Sequence, residues 1–151
     1  TDRGMSRMEV QDAAVEAARA FLPLLEAAGG NLLFIASITG LEAFGAPVDY
    51  STAKAALIAF SKNLARKMGP RGVRVNALAP GNVIFPGGDW DQKKTDDPAR
   101  VEGMLRASVP LARFGTPEEI GAAAAFLLSP RAAFITGTCL VVDGGQTVGI
   151  F

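Results

Sequence analysis

A tyrosine and a lysine four residues apart, Tyr50 and Lys54, are the side chains of this sequence best suited to acid–base chemistry. On a helix over residues 50–68 they would stand on one face, close enough for the ammonium to act on the phenol. A free phenol has a pKa of about 10, so it donates a proton near neutral pH only when a nearby cation lowers that pKa. Lys54 is such a cation, although this spacing taken by itself more often has no function.

A serine thirteen residues before the tyrosine, Ser37, directly follows a short apolar run at residues 32–36. Such a run without alternation is typical of a strand buried on both faces of a parallel sheet. The run therefore places Ser37 at the carboxyl end of a strand, where open α/β sheets bind their ligands.

The elements that must position these residues follow from apolar periodicity and from the turn residues between the runs. Thr116, Pro117 and Glu119 together form the signature of a helix start, with a capping box and a proline in the first turn. The pattern predicts helices over 5–28, 50–68, 101–107 and 117–128, strands over 32–36, 73–78 and 140–142, and an irregular segment over 82–100. Alternating helices and strands predict an α/β chain with a parallel sheet, and residues 1–151 are interpreted as one partial domain.

Composition excludes several classes of function. Fifteen basic residues balance fifteen acidic ones, which argues against nucleic acid or an anionic membrane as a partner. No apolar run is long enough to span a bilayer, and the sequence does not start with a signal peptide, so we expect a cytoplasmic protein. The sequence has no histidine, which removes Ser-His-Asp chemistry and the commonest metal ligand, and no metal site is predicted. The single cysteine, Cys139, is predicted to be a buried strand thiol, and a disulfide scaffold is excluded.

Five segments in this order and with these gaps resemble the C-terminal part of the short-chain dehydrogenase/reductase family, over about residues 19–146. Each segment alone is a weak signal, but together they are specific. They are Ile35-Ala36-Ser37, Tyr50-Ser51-Thr52-Ala53-Lys54, Arg74-Val75-Asn76-Ala77-Leu78-Ala79-Pro80-Gly81, Arg113-Phe114-Gly115-Thr116-Pro117-Glu118-Glu119-Ile120, and Ile135-Thr136-Gly137 with Asp143-Gly144-Gly145. The resemblance implies the C-terminal part of a Rossmann-like, doubly wound parallel sheet, of which three strands with flanking helices are present.

The resemblance also implies an activity, namely hydride transfer between NAD or NADP and a small alcohol or ketone. Tyr50 would be the general acid or base, Ser37 would hydrogen-bond the reacting oxygen, and Lys54 would bind the nicotinamide ribose and lower the pKa of the tyrosine. The backbone at Pro80, Gly81 and Val83 would face the nicotinamide carboxamide. Relatives commonly associate through the helices at 5–28 and 50–68, so a homodimer or homotetramer is expected.

Three features depart from the family pattern. The glycine-rich turn that holds a dinucleotide pyrophosphate would lie upstream of Thr1 together with the first strands, so the N-terminal dinucleotide-binding half is absent from this sequence. The position of the family's active-site asparagine falls on Val10, next to Gln11. The expected threonine after Pro80-Gly81 is replaced by Phe85.

Alternatives to a dehydrogenase remain at this point. A truncated relative would keep these helices for association alone, as a catalytically silent interaction module. An epimerase or dehydratase would use the same tyrosine–lysine pair. Three parallel strands would also leave the strand at 32–36 with an open apolar edge, which suggests that the sequence is a fragment or one half of a paired structure.

Overall fold

The chain folds around a three-stranded parallel sheet flanked by helices. The structure is a computed structural model that describes residues 7–150, with side chains described for residues 12–150. In chain order the elements are α1 (Arg7–Ala28), β1 (Asn31–Ile35), α2 (Val48–Met68), β2 (Arg74–Pro80), α3 (Asp89–Asp96), α4 (Pro98–Ser108), α5 (Pro117–Leu128) and β3 (Cys139–Val142). Short 3₁₀ turns occur at Ile38–Gly40, Gly69–Arg71 and Pro130–Ala132.

The sheet has the order β1-β2-β3, and both pairs of strands are parallel. Ile35 of β1 pairs with Leu78, and Pro80 of β2 pairs with Val142. The predicted α/β fold with three parallel strands is therefore confirmed. The predicted burial of the first strand on both faces is wrong at its end, because β1 lies at the edge of the sheet and Ile35 is 48% exposed.

The main core lies between β1, β2 and the inner faces of α1 and α2. The helical period predicted for 50–68 is confirmed, since Ala53, Leu57, Leu64 and Met68 of α2 are all buried. Phe60, on the same face of α2, is half-buried and packs edge-to-face on Phe34, with ring centroids 5.6 Å apart. This core fixes the register of α2, and with it the face that carries Tyr50 and Lys54.

Side chains join β2 to the chain segment that leads into β3. Asn76 is only 2% exposed. Its side-chain amide donates to the carbonyl of Ile135 at 3.0 Å and accepts from the Thr138 amide at 3.1 Å. The Val75 amide donates to the hydroxyl of Thr136 at 3.0 Å. Polar side chains therefore extend the pairing of β2 beyond the start of β3.

The prediction of an irregular segment over residues 82–100 is wrong, because these residues contain α3 and the first turn of α4. Asp97 caps α4 by accepting a hydrogen bond from the Arg100 amide at 3.0 Å, and Pro98 occupies the first turn. Trp90 of α3 packs on Phe114, with ring centroids 5.3 Å apart. The polar composition of this stretch does not predict α3, because the contact that holds the helix is with Phe114, more than twenty residues away.

The last helix starts as predicted. The Thr116 hydroxyl accepts from the Glu119 amide, and the Glu119 carboxylate accepts from the Thr116 amide at 3.0 Å, which completes the capping box. Arg113 also donates to Glu119, and this bond is the main reason that the pKa of the carboxyl is lowered to about 2.

Two remaining predictions concern α1 and Cys139. The backbone of residues 7–11 belongs to α1, but the side chains of Val10 and Gln11 lie outside the described residues, so the prediction for the active-site position there stays untested. Cys139 is half-buried rather than buried, and burial raises the pKa of its thiol.

None of the helices in residues 7–150 combines the length and the apolar content that a bilayer crossing requires.

Candidate active site

Ser37 lies just beyond β1, at the carboxyl edge of the sheet, as predicted. Its side chain is buried and caps the 3₁₀ turn Ile38–Gly40. The hydroxyl oxygen accepts hydrogen bonds from the Thr39 amide at 3.2 Å and from the Thr39 hydroxyl at 3.0 Å. Since both bonds use Ser37 Oγ as the acceptor, the hydrogen of Ser37 is the part of the group suited to donate to a ligand.

Lys54 connects α2 to the end of β1. Its Nζ donates to the carbonyl of Ile35 at 2.8 Å, two residues before Ser37. The side chain is half-buried, and this burial lowers the pKa of the ammonium from its usual 10.5. A hydrogen bond to a backbone carbonyl compensates part of the lost hydration and fixes the position of the charge.

Tyr50 lies in the first turn of α2, on the same face as Lys54. The Lys54 Nζ is 5.6 Å from the centroid of the Tyr50 ring, within the range of a cation–π contact. The structure therefore brings the predicted phenol and ammonium together, and the Ile35 carbonyl links this pair to the strand that presents Ser37.

Gly40 is a residue of this site that the sequence did not single out. Its amide donates to the Ser37 carbonyl at 3.0 Å. A Cβ added to Gly40 would lie 2.7 Å from the carbonyl carbon of Lys54 and 2.7 Å from the amide nitrogen of Ala55. The turn that starts at Ser37 thus rests directly on the backbone of α2 at Lys54, and only glycine permits this approach.

Pro80 and Gly81 occupy the carboxyl end of β2, next to the end of β1. The Gly81 amide donates to the Val142 carbonyl at 3.0 Å, and a Cβ on Gly81 would lie 2.6 Å from the Cβ of Asp143. Close packing against Asp143 is therefore a sufficient reason for the glycine. Val83 lies beyond the strand and forms an isolated parallel bridge with Gly115.

Phe85, at the position where the family pattern has threonine, is 50% exposed and packs over Gly88, where a Cβ would meet its ring at 2.9 Å. Within residues 12–150, His, Cys, Asp and Glu side chains form no group of three or more that could hold a metal ion.

A known family model matches most of the chain. The family model described as enoyl-(acyl carrier protein) reductase matches residues 9–147.

Curated relatives agree with that match. Protein MoaE of Klebsiella aerogenes is 44% identical over 135 residues, which is 86% of this chain and 52% of the relative. The 3-oxoacyl-[acyl-carrier-protein] reductase of Chlamydia muridarum is 42% identical over 125 residues, which is 82% of this chain and 48% of the relative. This chain spans about half the length of the curated relatives it matches.

Solved structures share the fold. A structure of 4-hydroxyisoleucine dehydrogenase complexed with NADH is 28% identical, with a TM-score of 0.84 over 94% of this chain and 58% of the other. The L-sorbose reductase of Gluconobacter frateurii, complexed with NADPH and L-sorbose, is 33% identical, with a TM-score of 0.80 over 91% of this chain and 55% of the other.

Proposed function

This chain belongs to the short-chain dehydrogenase/reductase family of oxidoreductases, and we propose that it transfers a hydride between NAD or NADP and a small alcohol or ketone, with Tyr50 as general acid or base. Its three-stranded sheet is part of the Rossmann-like fold of that family. The observation that carries the proposal is the position of Lys54 Nζ, which contacts the Tyr50 ring and the Ile35 carbonyl at once.

In the proposed reduction, Tyr50 donates its phenolic proton to the substrate oxygen. The Lys54 ammonium beside it favours the phenolate that remains, because an opposite charge stabilises the ionised form. Ser37 donates a hydrogen bond to the same oxygen and holds it in place. The cofactor, when bound, supplies or accepts the hydride.

The residues present suit the nicotinamide half of such a cofactor. Tyr50 and Lys54 offer a hydroxyl and an ammonium group of the kind that bind ribose hydroxyls, and the backbone at Pro80, Gly81 and Val83 would face the carboxamide. The pyrophosphate half needs a glycine-rich turn between a strand and a helix. None of the Gly-Gly pairs within residues 7–150 both follows a strand directly and opens a helix. Similar structures contain NADH in one case and NADPH in another, which supports either form for this chain.

The proposal is tested by Tyr50→Phe in the purified protein, with NAD(P)H and a panel of small ketones. Loss of the proton donor should lower kcat by about 10²–10⁴-fold. Binding of NAD(P)H, followed by its fluorescence, should stay nearly unchanged. Thr52→Ala, an exposed change in the same turn of α2, is the control and should leave kcat unaltered.

Two other outcomes would overturn part or all of this proposal. Full turnover by Tyr50→Phe would remove the tyrosine from the mechanism. Binding of neither cofactor, and no turnover of any ketone by the unmodified protein, would favour the silent interaction module.

We also propose that two copies of the chain associate through α1 and α2, in the cytoplasm. Phe21 and Leu24 support this interface, because they are 57% and 66% exposed on α1. Light scattering of Leu24→Glu should show weaker association than the unmodified protein.

A further inference from the structure

The segment that follows β3, residues 143–149, is held by two carboxylates. Asp143 accepts from the amides of Gly145 at 2.8 Å and Thr147 at 2.7 Å. The Leu111 amide donates to the Gly144 carbonyl at 3.2 Å, which adds a contact from a separate loop. Residues 143–149 are called here the 143–149 strap. The first half of the strap is therefore fixed next to β3.

Glu42 holds the far end of the strap. Its carboxylate accepts from the Gly149 amide at 2.6 Å and from the Val148 amide at 3.0 and 3.2 Å. The Glu42 amide in turn donates to the carbonyl of Ile38 at 3.0 Å, in the turn that Ser37 caps. One carboxylate thus joins the strap to the loop that follows Ser37.

The strap crosses the carboxyl edge of the sheet. It begins after β3 and is bound by a loop that follows β1, while β2 lies between these strands. Two strand spacings amount to roughly 10 Å, which the five residue steps from Asp143 to Val148 can span. On the way, Asp143 packs against Gly81 at the end of β2. The strap therefore passes the strand ends that present Ser37, Pro80 and Gly81.

We infer that the 143–149 strap forms one wall of the substrate cavity and that Glu42 is the positioning residue that holds it closed. The inference rests on the proposed function, since the cavity is the one in which Tyr50 would meet an alcohol or ketone. Glu42 touches no reacting atom in this scheme. It acts through the strap, whose backbone would limit how a substrate lies against Ser37 and Tyr50.

Two measurements on Glu42→Ala test the inference. Hydrogen exchange should show faster exchange of the Val148 and Gly149 amides, because their acceptor is lost. KM for the ketone that is reduced best should rise about tenfold, the effect of losing a charge-assisted hydrogen bond, while kcat changes less than about twofold. Glu42→Gln keeps one accepting oxygen and should restore part of both effects.

Glu26→Ala is the matched control. Glu26 is also a partly exposed carboxylate with a partner distant in sequence, Arg71 at 2.7 Å, but it lies at the end of α1 and away from the strap. Its removal should change neither KM nor exchange at residues 148–149.

Each contrary outcome has its own meaning. Unchanged exchange of the Val148 and Gly149 amides in Glu42→Ala would refute Glu42 as the residue that holds the strap. Faster exchange with an unchanged KM would refute the strap as a cavity wall. Absence of any ketone turnover would overturn both the wall and the proposed function, whereas full activity of Tyr50→Phe with a raised KM in Glu42→Ala would overturn the proposed role of Tyr50 and leave the strap standing.

Discussion

Gly40→Ala introduces a methyl group where the turn after Ser37 meets α2. The added Cβ would lie 2.7 Å from two backbone atoms, Lys54 C and Ala55 N, and 3.0 Å from Lys54 O. Backbone atoms cannot move aside by changing a rotamer. The turn and the helix must therefore separate, on the order of 0.7 Å or more, to reach an ordinary carbon contact.

The cost of that separation can be bounded. Overpacking by one methyl group costs about 1–3 kcal/mol. Alanine also restricts the unfolded chain, which returns about 0.4–1 kcal/mol. The net loss in the free energy of unfolding should be about 1–2 kcal/mol.

Urea unfolding of the purified protein, followed by circular dichroism, measures this difference. The midpoint should fall while the slope stays constant, since the exposed area is unchanged. Gly69→Ala is the control, because Gly69 has φ −51° and no atom within 4 Å of its added Cβ. If Gly40→Ala were as stable as Gly69→Ala, the close approach of the turn to Lys54 would not constrain the site.

The remaining predictions concern a charge and a cap. Burial lowers the pKa of Lys54 from 10.5, so the unfolded chain binds this proton more tightly than the folded protein. Relative to Lys54→Met, the unmodified protein should gain stability as the pH rises through the lowered pKa towards 10.5, and parallel urea-unfolding profiles for the two proteins would contradict this. Asp97→Ala removes the cap of α4 and should cost about 1 kcal/mol in thermal unfolding. Asp96→Ala, which removes the same charge from the neighbouring position, should cost less, and equal losses would argue against capping.

The sheet and α2 were predictable because their signals are local. An apolar run without alternation predicted β1 within one residue, the stretch at 73–78 predicted β2 within two residues, and a helical period predicted the buried face of α2. The exposure of Ile35 could not be predicted from the local sequence, since it depends on which strand lies at the edge of the sheet.

The helix at 89–96 was missed because its stabilising contacts come from elsewhere. Its own sequence is strongly polar, and Trp90 anchors it by packing on the Phe114 ring, with ring centroids 5.3 Å apart. A pattern within eight residues contains no information about Phe114.

The candidate site, too, was predictable from the sequence only in part. The spacing of Tyr50 and Lys54 predicted the contact that one helix turn makes between them, and the apolar run placed Ser37 two residues after Ile35, whose carbonyl binds Lys54. Gly40 and Glu42 were not identifiable, since their roles depend on the backbone of α2 and on residues 148–149.

The side-chain bonds around Asn76 have a consequence for strand alignment. A slip of β3 by two residues would keep the same side chains on each face of the sheet, so apolar matching alone does not exclude it. Such a slip would separate the buried Asn76 amide from Ile135 and Thr138, and the Val75 amide from the Thr136 hydroxyl. A buried polar group without a partner is costly, so these few bonds select one register where hydrophobic burial would accept several.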